Sequence, residues 1–266
     1  MSSNPTVAST ARLKPNFLLG MLEWFGEFGI FVWRVLCAAV RPPFELAEFV
    51  RQLDEIGSRS LPLVMLAGAA TGTVLALEAR QSLVQFGAKS LLPTTIVYSV
   101  ITEMGPIITA LVVSGRVGAG IGAELAAMKV TEQIDAIATS AVDPQRLLAA
   151  TRVAACIIAM PLLTLSASFS GVTMGWIAST LMEPISLIQF INQGFQGMGF
   201  KDFLPPTFKT CIFGLIIGCV ASFQGMRARG GAQGVGSSAT TSVVVSSLFV
   251  ILADVVLVKI ILLIWS

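Results

Sequence analysis

Two carboxylates stand where acids are expensive. Glu103 falls in the middle of an apolar run from about Leu91 to Val113, and Asp254 falls within a second run from Thr241 to Trp265. An acidic side chain at the centre of a bilayer costs roughly 2.5–3.5 kcal/mol on insertion scales, so it faces a cavity, a partner or a pathway. Pro106 strengthens the case at Glu103. Its ring nitrogen cannot donate to the carbonyl of Thr102, which leaves a free acceptor beside the acid. Glu103 is therefore the first candidate for contact with a polar substrate or for proton exchange. The structural alternative is a glutamic acid hydrogen-bonded to a neighbouring helix. At Asp254 that alternative stands level with a functional role. Glu78, Arg80 and Lys259 sit at span ends, where charges are ordinary and long side chains snorkel to the interface.

Other chemistries are poorly supported. The chain has no His, which removes the commonest general base and a favoured metal ligand. Cys37, Cys156, Cys211 and Cys219 stand singly in apolar surroundings and read as small hydrophobic filler. The glycine ladder Gly115, Gly118, Gly120 and Gly122 follows no strand and precedes no Gly-Lys-Ser/Thr, so it is not a phosphate loop. It reads as close packing or a flexible exit from the membrane. Neither a cofactor nor a metal is expected, and work against a gradient would need an ATPase on another chain.

The 266 residues are 55% hydrophobic and only 12% charged, with mean hydropathy +0.83. Soluble domains average about 25% charged residues, so the composition describes an integral membrane protein. A net charge of +2 without a basic run excludes a nucleic-acid surface. The first apolar stretch carries acids and no small-residue cleavage site, so it does not read as a signal peptide.

The elements that must position Glu103 and Asp254 are all helices. From Asn16 to Val40, Glu23, Glu27, Arg34 and, just beyond, Arg41 are spaced by four and seven, which puts them on one face of a helix lying in the interface and ended by Pro42 and Pro43. Phe44–Ile56 is a second amphipathic helix closed by Gly57. Five crossings follow: Leu61–Leu77, Leu91–Val113, a long helix from Pro144 to Leu181, Pro205–Phe223, and Thr241–Trp265. A short amphipathic piece near Ile185–Ile191 lies before the fourth. Gln224–Thr240 reads as a Gly/Ser-rich loop. Gly68/Gly72, Gly171/Gly175 and Gly214/Gly218 have the four-residue spacing that lets helices approach closely in lipid. With five crossings and a cytoplasmic N-terminus, only Arg80, Lys89, Lys201, Lys209 and Lys259 fall on the outer side or in outer span ends. The other twelve basic residues fall inside, as the positive-inside rule requires.

The longest polar interruption, Ser114–Pro144, is patterned. Ile121, Leu125 and Met128, then Val130, Ile134 and Ile137, recur at i, i+4, i+7, with Glu124, Lys129, Glu132 and Asp135 on the remaining faces. This predicts two short helical pieces slipped against each other near Lys129, after which Asp143 caps a helix beginning at Pro144. On pattern alone the stretch is either a helix on the membrane surface or a lever that docks a soluble partner.

These residues carry a family resemblance. The run TEMGPIITALVVSGRVGAGIGAELAAMKVTEQIDAIATSAVDPQRLLAATRVAACIIAMPLLT resembles the MlaE family of ABC-transporter permeases. The motifs are the E-x-G-P-[IV] turn at Glu103–Ile107, the glycine segment Ser114–Gly118, the A-E-[LI]-x-x-M-[KR]-[VA]-T-E-Q core at Ala123–Gln133, and A-V-D-P at Ala141–Pro144. Weaker similarity extends from about Phe44 to the C-terminus. The resemblance implies an all-α integral membrane protein: an interfacial N-terminal helix, about five transmembrane helices and a short cytoplasmic coupling helix at about 121–138. It implies a tail and amphipathic region over 1–60 and a permease domain over 61–266 in the inner membrane, with the N-terminus cytoplasmic. It also implies a homodimer, two cytoplasmic ATPase subunits that bind the ATP, and a periplasmic partner with MCE domains. The implied cargo is phospholipid or a similar lipid. Its pocket would lie between the two protomers near the outer leaflet, lined by the first two crossings, with Glu103 and Thr102 in the floor and Leu75, Glu78, Leu83 and Phe86 on the wall, and the ATPase would be met by Glu124, Met128, Lys129, Glu132 and Asp135. Many members carry Arg just before the glutamate, where this chain has Thr102. Outside the resemblance, the residues also permit a proton-linked carrier using Glu103 and Asp254, or a scaffold that transports nothing.

Overall fold

The fold was analysed in a computed structural model, which describes residues 17–40 and 45–265. Nine helices account for nearly all of them: α1 (Phe17–Val40), α2 (Leu46–Gly57), α3 (Leu61–Gln85), α4 (Lys89–Val130), α5 (Gln133–Thr139), α6 (Gln145–Met182), α7 (Leu187–Gly194), α8 (Phe200–Met226) and α9 (Gly231–Trp265). Five are long and apolar enough to cross a membrane: the α2–α3 stretch, α4, α6, α8 and α9. The protein is an all-α integral membrane protein. Arg41 to Phe44, where the prolines were expected to end the first helix, lie outside the described residues.

Small residues set the core. The α3–α6 seam is built on Gly68 and Gly72, where an added Cβ would run into the backbone carbonyls of Ala167 and Gly171. Gly214 and Gly218 of α8 meet α6 in the same way at Cys156 and Val153. Such contacts bring backbones together where burial of apolar surface against lipid offers little drive, so association rests on close packing. The expected close-packing glycines therefore do lie at helix crossings. Of the glycine ladder, Gly118 and Gly122 face Ser246 and Ser242 of α9, whereas Gly115 and Gly120 face open space.

Several boundaries differ from the sequence expectation, each for a local reason. The second crossing does not stop at Val113. It continues as helix to Val130, because Ile121, Gly122, Leu125 and Ala126 are buried against α8 and α9. Gly231–Thr240, expected in a loop, is helical, and the loop is reduced to the few residues before it. Serines make this possible: Ser242 and Ser246 donate to the carbonyls of Ser238 and Ser242 one turn back, and Ser238 donates to the Gly122 carbonyl. The hydroxyls are thus satisfied in an apolar setting, and the small side chains allow α9 to lie close on α4. The first crossing runs on past Leu77 to Gln85. The fourth starts at Phe200 rather than Pro205, with the Gly199 N–H donating to the Asp202 carboxylate at 3.0 Å.

Helix α1 buries Phe31 and Val35, with Trp24 and Phe28 partly covered, against Ala149, Ala150, Val153, Cys219 and Phe223. Those four positions share one face, and the charged positions lie beside it. Glu27 reaches Arg227, whose guanidinium also sits 4.8 Å from the centre of the Phe223 ring. At the opposite end of the bundle, Glu183 accepts from both Arg80 (3.1 Å) and Lys89 (2.8 Å), tying α3 and the start of α4 to the end of α6.

Candidate functional site

Helix α4 is not regular where Glu103 sits. Val100–Met104 forms a single wide π turn in which the Gly105 N–H reaches back to the Val100 carbonyl, directly before Pro106. The proline supplies the cause. Without an N–H at position 106 the ordinary ladder is already broken, and a π turn absorbs the extra residue. The turn places Ile101 in the core and Thr102 and Glu103 on the opposite side, half-buried.

Glu103 does not stand alone. Its Oε2 accepts from Lys209 Nζ of α8 at 2.8 Å, and the same ammonium lies 2.9 Å from Oδ1 of Asp254 in α9. Lys209 and Asp254 are buried, at 2% and 7% side-chain exposure, while Glu103 keeps 36%. Three crossings are thus pinned by one cation between two anions. Counted from the Glu183 end, Lys209, Asp254 and Glu103 lie roughly 14, 17 and 21 Å of helix rise in, around the middle of a ~30 Å hydrocarbon layer. A charge at that depth survives only when paired, and this arrangement pairs the lysine twice.

Above the ions opens a cleft of about 450 Å³, lined by Tyr98, Thr102, Glu103, Lys201, Asp202, Pro206, Lys209, Val258, Ile261 and Leu262. Its chemistry is amphiphilic, with charge at the floor and rim and apolar side chains along α9 between them. The sequence-predicted pocket residues divide here. Thr102 and Glu103 line the cleft. Leu75 and Leu83 pack instead against the cluster around Ala76, Ile96, Val97 and Phe190, and Glu78 and Phe86 are exposed on and just beyond the end of α3. Within one copy of the chain these four do not meet Glu103.

Lys209 is the residue of this cluster that sequence reasoning missed, since its position near the start of the fourth crossing read as an outer span end. A signal was available. Two carboxylates in separate crossings call for a cation at the same depth, and Lys209 is the lysine that lies there.

The other predicted set lies at the far end. Helix α4 breaks at Thr131, and two non-glycine residues with left-handed backbone, Glu132 (φ 60°) and Ala141 (φ 61°), bracket the short helix α5. The expected slip between two pieces therefore falls just after Val130. Asp143 then receives the Gln145 N–H at 3.0 Å at the start of α6. Glu132 and Asp135 are exposed on this tip, and Lys129 reaches across the break to Asp135 at 2.7 Å. Met128 is partly buried against the core. Glu124, one turn back, is engaged by Arg152 Nη2 at 2.8 Å, an arginine that is 1% exposed and also donates to the Leu148 carbonyl. Lys129 thus ties the tip to α4, and Arg152 ties that part of α4 to α6.

The bundle, the buried ion cluster and the amphiphilic cleft define a multi-pass membrane protein with a polar site at mid-depth. The sequence pattern of the Permease MlaE family matches residues 49–260. A probable ABC transporter permease protein of Rickettsia typhi is 34% identical over 244 residues, covering 92% of this chain and 94% of its own length. One from Rickettsia felis is 36% identical over 229 residues, covering 86% and 88%, and one from Synechocystis sp. is 31% identical over 205 residues, covering 77% and 78%. The chain belongs to the MlaE family of ABC transporter permeases.

Proposed function

We propose that this permease moves phospholipid, or a lipid of similar shape, between the inner membrane and a periplasmic partner carrying MCE domains, as a homodimer driven by separate ATPase subunits. The observation that carries the lipid reading is the cleft above Glu103, Lys209 and Asp254. Its charged floor and rim can satisfy a headgroup, while Tyr98, Val258, Ile261 and Leu262 offer surface to an acyl chain at roughly 25 cal/mol per Å². A second copy would bring its own α3 wall, with Leu75, Glu78, Leu83 and Phe86, to the shared cavity.

The tip supports the drive. Glu132, Asp135 and the exposed end of α5 form a projecting, polar, strained turn, and backbone strain of this kind clusters at functional contacts. In this reading the tip is cytoplasmic and enters a groove on the ATPase. Closure of the ATPases draws two tips together. The Arg152–Glu124 tie passes the motion to α6, and the close-packed α3–α6 seam narrows the cleft and expels the lipid. The test is Glu132→Lys in the purified assembly. Lipid should still copurify, while stimulation of ATP hydrolysis by the membrane subunit should fall severalfold. Undiminished stimulation in that variant counts against docking through this turn.

A further inference from the structure

The cluster at the floor of the cleft holds two acids and one base. Lys209 Nζ lies 2.8 Å from Glu103 Oε2 and 2.9 Å from Asp254 Oδ1, and Glu103 and Asp254 also share a side-chain hydrogen bond. An ionised carboxyl group only accepts hydrogen bonds, so two of them bond to each other only when one carries a proton to donate. Charge leads to the same place. With both acids ionised the cluster keeps one negative charge in the middle of the hydrocarbon layer, where an unpaired charge is costly. The neighbouring elements do not supply the missing cation. Residues 61–77 of α3, residues 157–182 of α6 and the whole of α7 carry no ionisable side chain. Tyr98 of α4 and Cys211 of α8 add a phenol and a thiol but no cation. Lys201 at the start of α8 has a partner of its own, Asp202 is held by the Gly199 N–H, and Lys259 lies exposed on α9 outside the cleft lining.

We infer that Glu103, Lys209 and Asp254 form a binding site for one exchangeable proton, shared between the two carboxyl groups and reached from the cleft. Two carboxyl groups at hydrogen-bond distance share a single proton because both cannot ionise side by side. The occupied site is neutral overall, with one ammonium, one carboxylate and one carboxylic acid. Its members have different parts. Lys209, 2% exposed, bonds both acids and holds α8 against α4 and α9, while Asp254, 7% exposed, is closed off from water. Glu103 keeps 36% of its side chain open and lines the cleft, so the proton enters and leaves through it. The proton belongs to the pair rather than to either acid, and its release leaves the cluster one charge short of balance. The site stands whatever molecule the cleft carries.

The test is the infrared spectrum of the purified permease in lipid nanodiscs at neutral pH. The wild type should show the carbonyl stretch of a protonated carboxylic acid, shifting on transfer to heavy water and lost at high pH. Glu103→Gln and Asp254→Asn should each abolish that band, because either amide leaves a single carboxylate on Lys209 and no call for a proton. A wild type without the band overturns the site, and so does either variant that keeps the band in full. A band unmoved by heavy water overturns access from the cleft. If the variants fail to fold, the wild type decides alone. An apolar carbodiimide, which adds only to protonated carboxyl groups, should label Glu103 at neutral pH in peptide mass spectra, and progressively less as the pH rises. Glu103 left unlabelled at neutral pH, or labelled equally at high pH, overturns the proposal.

Discussion

Lys209 has an acid on each of two sides, and its removal exposes what the cluster does. In Lys209→Met two carboxylates remain at mid-membrane with no counter-ion, and breaking a buried pair in this way costs about 3–5 kcal/mol. The thermal midpoint of the detergent-solubilised protein should fall accordingly. Adding Glu103→Gln and Asp254→Asn to that variant should recover most of the loss, since the stranded charges are gone. The Arg152–Glu124 pair should behave differently. Glu124 is about half exposed but Arg152 is buried, so Glu124→Gln, whose amide oxygen can still accept from the guanidinium, should cost about 1–3 kcal/mol, less than stranding two carboxylates. At this scale the sequence was partly legible. Glu103 and Asp254 stood out because a carboxylate within an apolar run is costly wherever it points. Lys209 did not, because the meaning of a lysine near a span end depends on which carboxylates face it, and that is fixed by helices more than forty residues away.

The helices show the reverse balance. Glycines four residues apart were readable as crossing points, and Gly68, Gly72, Gly214 and Gly218 indeed meet the backbone of α6. Gly72→Ala should destabilise the α3–α6 seam by about 1–3 kcal/mol, since the added methyl meets a carbonyl that cannot turn away, whereas Gly115→Ala, facing open space, should be silent. Thermal melts of the two variants side by side check this. The Gly/Ser run before the last crossing was misread as loop because glycine and serine lower helix propensity. Tertiary packing overrode that preference once Ser238 and Ser242 could bond to carbonyls and sit against Gly122. A pH effect belongs at this scale too. Hydrogen bonds from Lys89 and then Arg80 hold the Glu183 carboxyl below its usual range. A lowered folded pKa gives stability that is present above the unfolded value of about 4.3 and is lost as pH falls through the folded one. Wild type should therefore melt above Glu183→Gln at neutral pH, and the gap should close on acidification below about pH 4.

For the whole molecule, the proposed function divides between two ends of the helical bundle. One end and the bilayer middle hold the amphiphilic cleft, and the other presents the turn from Thr131 to Asp143. The helix α4 passes through both, carrying Glu103 in its π turn and ending at the tip, so displacement of the tip acts on the helix that forms the cleft floor. In the proposed function the drive comes from another subunit. Membership in the permease family was legible from the run between Thr102 and Thr164, because its motifs coincide with backbone features that demand particular residues: the proline-induced π turn, the close Gly122 contact and the Asp143 cap. The wall expected on α3 is a wall between two protomers, and within one copy Leu75 and Leu83 pack apart from Glu103. The account depends most on the tip being the contact for an ATP-hydrolysing partner. A photoreactive residue in place of Glu132, activated in native membranes, should yield a single dominant adduct with a nucleotide-binding subunit. An adduct only with lipid, or with proteins that bind no nucleotide, would contradict it.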